Sequence, residues 1–158
     1  MKAVIINKDV LALGTRRKIY NIIKEQPGIC IRELERTSGL AIGELTYHLP
    51  LLLKAGLVDE ENDNYFRRFY TAGMKREDLV IISILRREAV RRVIPLFLEN
   101  EAVSVKLLSE KLGVSASTAN WHINRMKQNK LIKEINGNGK QRFYALKDAD
   151  TVKRIYLL

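Results

Sequence analysis

The chain repeats itself. Shifted by 74 positions, residues 15–71 lie on residues 89–145 without a gap, so that His48 falls on His122. Identities are few but punctuate the whole unit: Arg17/Arg91, Leu34/Leu108, Gly39/Gly113, Leu57/Leu131, and the triplet Arg68-Phe69-Tyr70 on Arg142-Phe143-Tyr144. Elsewhere apolar meets apolar, as in Ile19/Val93, Ile31/Val105, Leu49/Ile123 and Leu52/Met126. A chain of this kind folds as two copies of one small unit, and what the unit binds it can bind twice. The expected division is a first domain over residues 1–74, a helical connector over 75–88, and a second domain with a C-terminal helix over 89–158. Units of roughly 60 to 70 residues have modest cores.

Charge is shared unevenly between the copies. Residues 1–74 carry 11 Lys and Arg against 9 Asp and Glu, a net of +2, while residues 75–158 carry 17 against 9, a net of +8. With a pI near 9.8 in a chain that is 46% hydrophobic, a polyanion is the expected partner, nucleic acid before anionic membrane. The longest nearly unbroken apolar run, Leu79 to Leu85, is far shorter than the roughly 18 residues a spanning helix needs. The apolar stretch after Met1-Lys2 is too short for a secretory leader. One cysteine, Cys30, cannot form an internal disulfide, which fits a cytoplasmic protein. There is no Gly-rich phosphate loop, nucleophile elbow or paired-carboxylate motif, and neither His48 nor His122 has a second ligand at helical spacing. No enzymatic activity, metal or cofactor is therefore expected.

In the first copy Ile19, Ile22 and Ile23 recur at helical spacing up to Pro27-Gly28. Ile29 to Ile31 suits a short strand and Arg32 to Arg36 a short helix closed by Gly39. Ile42, Leu45, Leu49, Leu52 and Leu53 then make one stripe of a third helix ending at Gly56. Two helices joined by a three-residue turn containing Gly form the helix-turn-helix plan. The remainder is β-like: Leu57 to Glu60 and Tyr65 to Tyr70 flank Asn62-Asp63-Asn64, and in the second copy Leu131 to Ile135 and Gln141 to Tyr144 flank Asn136-Gly137-Asn138-Gly139. Asn-Gly is a strong hairpin signal. The reading is a mainly α fold with small β wings (α+β), made of two tandem winged helix-turn-helix domains.

These segments resemble the winged helix-turn-helix transcription regulators, particularly the tandem form common in archaea and akin to the ArsR and MarR groups. The resemblance rests on Ile31-Arg32-Glu33-Leu34, Thr46-Tyr47-His48-Leu49 and Ala55-Gly56-Leu57-Val58, and on Leu112-Gly113-Val114-Ser115 through Trp121-His122-Ile123. It implies a sequence-specific regulator that binds double-stranded DNA; the alternative is a winged-helix scaffold that binds proteins in a transcription or replication assembly. In helix-turn-helix docking, the first half of the recognition helix enters the major groove. With Ala119, Ile123 and Met126 on the core stripe, Ser117, Thr118, Asn120, Trp121 and Arg125 point outward as candidate readers. Asn can bond adenine, Arg can bond guanine or phosphate, and hydroxyls can bond phosphate. Helix capping by Ser115 or Ser117, and packing of Trp121 beneath the wing, are the competing roles. Thr46 and Tyr47 hold the matching places in copy one, but there Gly43, Glu44, Pro50 and Leu51 replace Ser117, Thr118, Asn124 and Arg125. Copy one is thus expected to be the weaker reader, with Pro50 removing a helical hydrogen bond. The wings offer Arg67 and Arg68, and Lys140 and Arg142, for contact with the DNA backbone or minor groove.

From Met74 to Asn100 the pattern is helical, with a kink expected at Pro95. Leu79 to Leu85 is apolar nearly all round, and Val152, Ile155, Tyr156 and Leu158 share one face of a C-terminal helix that begins near Asp148. Both features suggest burial between the domains or a homodimer.

Overall fold

Ile19 and Ile23 are fully buried one turn apart on α1 (Gly14–Glu25), and around them the apolar side chains of the first copy assemble. A computed structural model describes residues 9–135, 137 and 139–157. It divides into two compact units that meet in sequence between Leu79 and Val80. In the first unit α1 is followed by β1 (Ile29–Cys30), α2 (Ile31–Ser38), α3 (Ile42–Lys54), β2 (Val58–Asp63) and β3 (Phe66–Thr71). Leu45, Leu49 and Leu52 of α3, Leu34 of α2 and Phe69 of β3 close the core on Ile19 and Ile23. Gly39 ends α2 with φ 71°, a conformation that a side chain would strain, and so turns the chain into α3. Helix α3 runs through Pro50, which is exposed. The sheet is antiparallel in the order β1-β3-β2, with Ile29 opposite Phe69 and Val58 opposite Thr71.

Helix α4 (Arg76–Leu85) carries the chain into the second unit, which continues as α5 (Glu88–Arg91), α6 (Ile94–Glu99), α7 (Val105–Leu112), α8 (Ala116–Gln128), β4 (Ile132–Ile135), β5 (Phe143–Leu146) and α9 (Ala149–Tyr156). Val93, Ile94, Leu108, Ala119 and Ile123 are its fully buried centre. The expected long helix is broken rather than kinked: Arg86-Arg87 and Arg92-Val93 interrupt it, and Pro95 sits in the first turn of α6. There its missing N–H would have had no helical acceptor in any case.

The repeat is not gap-free at the wing. Val103, the counterpart of Ile29, bridges to Tyr144 and not to Phe143, and Ile132, the counterpart of Val58, pairs with Leu146 and not with Ala145. The second hairpin therefore holds one more residue than the first. A slip of one turns every following side chain to the other face. Phe69 is fully buried, but Phe143 is half-buried and Tyr144 takes the inward place. Of the Asn136-Gly137-Asn138-Gly139 turn, Asn136 and Asn138 lie outside the described residues, as do residues 1–8 and Leu158.

Ile82, Ile84 and Leu85 of α4 and Val152 and Ile155 of α9 are buried within the single chain. Val80 and Leu157 are exposed. No helix among the described residues is long and apolar enough to cross a membrane.

Candidate nucleic-acid interface

A helix leaves its first amides without backbone acceptors, and its N-terminus bears partial positive charge. At α8 Ser115 fills the gap: its Oγ accepts the Thr118 N–H at 3.1 Å and lies 3.0 Å from Thr118 Oγ1. No carboxylate lies in that turn. At α3 the carboxylate of Glu44 reaches back to accept the Ala41 N–H at 3.0 Å. Glu44 is thus a cap and not a base reader, and it places a negative charge where an anion would approach. Thr46 is exposed, but its hydroxyl donates back to the carbonyls of Ile42 or Gly43, at 2.9 and 3.0 Å.

Of the residues expected to face outward on α8, Ser117, Thr118 and Asn120 are exposed and Arg125 is half-buried. Trp121 is 49% exposed and not packed away; the Arg125 guanidinium carbon lies 5.2 Å from its ring centroid. A cleft of about 610 Å³ brings Asn120 together with Lys106 of α7 and with Lys140, Gln141 and Arg142 of the wing. The Arg142 side chain is 72% exposed, with Glu134 at 3.8 Å. Serine capping, which competes with phosphate contact, falls to Ser115 and leaves Ser117 in solvent.

The first wing is different. Arg67 is ion-paired with Glu60. Arg68, expected to touch DNA, is only 5% exposed: its Nε donates to the Asp63 carboxylate at 2.6 Å and its Nη1 to the Gly28 carbonyl at 2.9 Å. It ties β3 to β2 and to the approach to β1, so no phosphate can reach it. The register slip explains the error. Glu60 and Glu134 occupy matching places, and the arginine paired with each is Arg67 in one wing and Arg142 in the other. The structural counterpart of Arg142 is Arg67, although the shared Arg-Phe-Tyr triplet points to Arg68. The spacing was a usable signal: Glu60 and Arg67 are seven apart, Glu134 and Arg142 eight.

His48 is buried behind α3 and accepts a hydrogen bond from Arg16 Nε of α1 at 3.4 Å. His122 is half-buried on α8, where burial and then the nearby Arg92 charge hold its pKa below the ordinary histidine value. Tyr47, on α3, is 65% exposed.

Residues 13–79 match a family model described as an N-terminal HTH domain, and residues 86–133 match one described as winged helix-turn-helix DNA-binding. Over 126 residues the chain is 27% identical to a Methanocaldococcus jannaschii protein named an uncharacterized HTH-type transcriptional regulator, a match covering 80% of this chain and 32% of that relative's length. Among solved structures, reduced HlyU from Vibrio cholerae superposes with a TM-score of 0.43 at 24% identity, over 51% of this chain and 82% of that one. A chain of the ESCRT-II endosomal trafficking complex gives a TM-score of 0.39 at 14% identity, over 87% and 65% of the two chains. With helix-turn-helix and wing present in each unit and each unit carrying its own family match, the chain holds two winged helix-turn-helix domains in tandem.

Proposed function

We propose that the chain is a sequence-specific, double-stranded DNA-binding transcription regulator whose second domain reads the duplex. The observation that carries this is the start of α8: a hydroxyl-capped, carboxylate-free helix N-terminus beside Asn120, Lys140 and Arg142 in one cleft. Backbone amides and the helix dipole there favour phosphate, and the cations around it supply counterion release. Support also comes from the DNA-binding description of the model matched by residues 86–133 and from the transcriptional name of the archaeal relative. On this reading Ser117, Thr118, Asn120, Trp121 and Arg125 face the major groove, Lys140 and Arg142 face the backbone or minor groove, and the protein works in the cytoplasm.

Salt titration of duplex binding is the test. Changing Arg125 and Arg142 together to Ala should weaken binding and flatten the log–log salt slope by about one to two units. An unchanged slope and affinity would refute the reading. A protein-binding role is favoured only for the first domain, where Tyr47, Tyr65 and Phe66 are exposed beside a wing whose arginines are already paired with acids. For a homodimer through the connector and tail, Val80 and Leu157 are the exposed apolar residues among those described, and a dimer in sedimentation that the Val80→Asp, Leu157→Asp double variant dissociates would support it, whereas a monomeric unchanged chain would refute it.

A further inference from the structure

The two recognition helices share one unexpected detail. Position for position, each presents an exposed aromatic ring with a histidine set edge-on behind it: Tyr47 with His48 at 5.0 Å and 78°, Trp121 with His122 at 5.0 Å and 75°. An indole left half in water gains the folded chain little, since its hydrophobic burial is incomplete. The two helices differ in what covers the ring. On α8 the Arg125 guanidinium lies over the indole face at 5.2 Å, whereas α3 has the half-buried Leu51 at that place. Among the described residues Arg125 makes no ion pair. The indole thus has a contact at its face and another at its edge before any ligand arrives, which lowers the side-chain freedom to be lost on binding.

A rigid apolar plane beside Asn120 has one apolar target in the major groove. Base edges there offer hydrogen-bond donors and acceptors, and a single hydrocarbon group, the C5 methyl of thymine. Building on the proposal that the second domain docks through α8, we infer that Trp121 is a thymine-methyl reader and that Arg125, besides carrying a charge, is the residue that positions the indole. The ligand class is thus narrowed to a duplex with a thymine at the place where Trp121 lands. Two other uses of the indole, insertion between unstacked bases and an N–H bond to phosphate, do not depend on the methyl group.

The experiment uses the full chain and a duplex enriched by it from random-sequence DNA, with each thymine replaced in turn by deoxyuridine. One position should lose about fourfold in affinity, the worth of one buried methyl group. Trp121→Ala should bind the thymine and uracil duplexes equally, Trp121→Phe should keep part of the difference, and Tyr47→Ala should leave it intact. Arg125→Lys keeps the charge but not the planar stack, so the salt slope should hold while discrimination shrinks. If no replacement matters, or if the effect survives in Trp121→Ala, methyl reading is refuted; if Arg125→Lys discriminates fully, the positioning role is refuted. Failure to enrich any duplex overturns the DNA reading itself, and this inference with it. Specific enrichment without a Trp121-dependent methyl effect leaves that reading standing and sinks this inference alone.

Discussion

At the start of α3 the orphan amide of Ala41 is taken by the carboxylate of Glu44; at the start of α8 the amide of Thr118 is taken by the hydroxyl of Ser115. The two bonds satisfy different amides: Glu44 takes that of the N-cap residue Ala41, which has no side-chain acceptor of its own, whereas Ser115 is itself the N-cap and takes an amide of the first turn. They differ in what they leave for a third party. Glu44 sets a negative charge at the positive end of its helix, whereas the neutral Ser115 leaves the charge of that end uncompensated and open to an anion. The wings differ in degree: Arg68 is buried against Asp63 and Arg67 is paired with Glu60, while Arg142, paired more loosely with Glu134 at 3.8 Å and 72% exposed, stands with Lys140 in the cleft with Asn120. Two domains of one fold can thus differ in readiness for a polyanion, because a cation buried against an acid, as Arg68 is, is not offered outside, whereas an exposed and loosely paired one, as Arg142 is, can exchange its partner.

Four measurements break or sharpen this contrast. The largest effect should come from Arg68→Ala, which strands the nearly buried Asp63 carboxylate and should remove about 3–5 kcal/mol of stability in chemical denaturation; Arg142→Ala should remove less than about 1 kcal/mol. Equal losses would erase the distinction between the wings. Thr118→Glu imposes the α3 solution on α8. It should stabilise the helix by roughly 0.3–1 kcal/mol yet weaken duplex binding by on the order of a few kcal/mol through like-charge contact, and effects of the same sign would contradict the argument. Gly137→Ala tests the longer hairpin: a Cβ there would fall 2.6 Å from Phe143 Cδ2 and 2.7 Å from the Gln141 carbonyl. A loss of about 1–3 kcal/mol is expected from such overpacking, whereas Gly43→Ala, in α3 with open space around it, should stabilise by about 0.4–1 kcal/mol.

The smallest effect is a pH dependence at α9. Asp148 caps that helix, and the Thr151 backbone N–H, then its hydroxyl, hold the carboxyl below its ordinary value. A depressed folded pKa means that the cap stabilises above the unfolded carboxylate value and is lost as pH falls through the folded one. The Thr151 amide should therefore lose exchange protection in acid, the hydroxyl-capped Thr118 amide should not, and Asp148→Asn should abolish the acid step. Parallel behaviour of the two amides would show that the type of cap is immaterial.

Much of the architecture was legible in local pattern. Ile19 and Ile23, Leu45, Leu49 and Leu52, and Ala119, Ile123 and Met126 are buried where helical spacing places them, because a helix fixes which residues share a face regardless of the rest of the chain. Asn120 and Trp121 stand outward for the same reason. Strand faces were not legible. Whether Arg68 points to solvent or to Asp63 depends on hairpin length and on Gly28, forty residues away, and matching triplets concealed the extra residue. The break at Arg86-Arg87 likewise escaped notice, since both residues are good helix formers and tertiary packing overrides propensity.

The added residue in the second hairpin has an evolutionary reading. Duplicated domains are usually imagined to drift apart by exchanging one side chain for another, yet here Arg-Phe-Tyr is retained in both copies and the arginine has changed occupation. An inserted codon in the turn is one part of the change from a structural strut to an outward-facing cation; the other is loss of the partner carboxylate, Asp63 in the first copy, with Gly137 at its place in the second. The reverse step needs more than a deletion: shortening the 136–139 turn by one residue would turn Arg142 towards a place where Gly137, and no carboxylate, stands at the position of Asp63. Indels in such turns, together with exchange of the partner acid, are thus a route by which tandem regulators can gain or retire a binding surface while the arginine itself is unchanged.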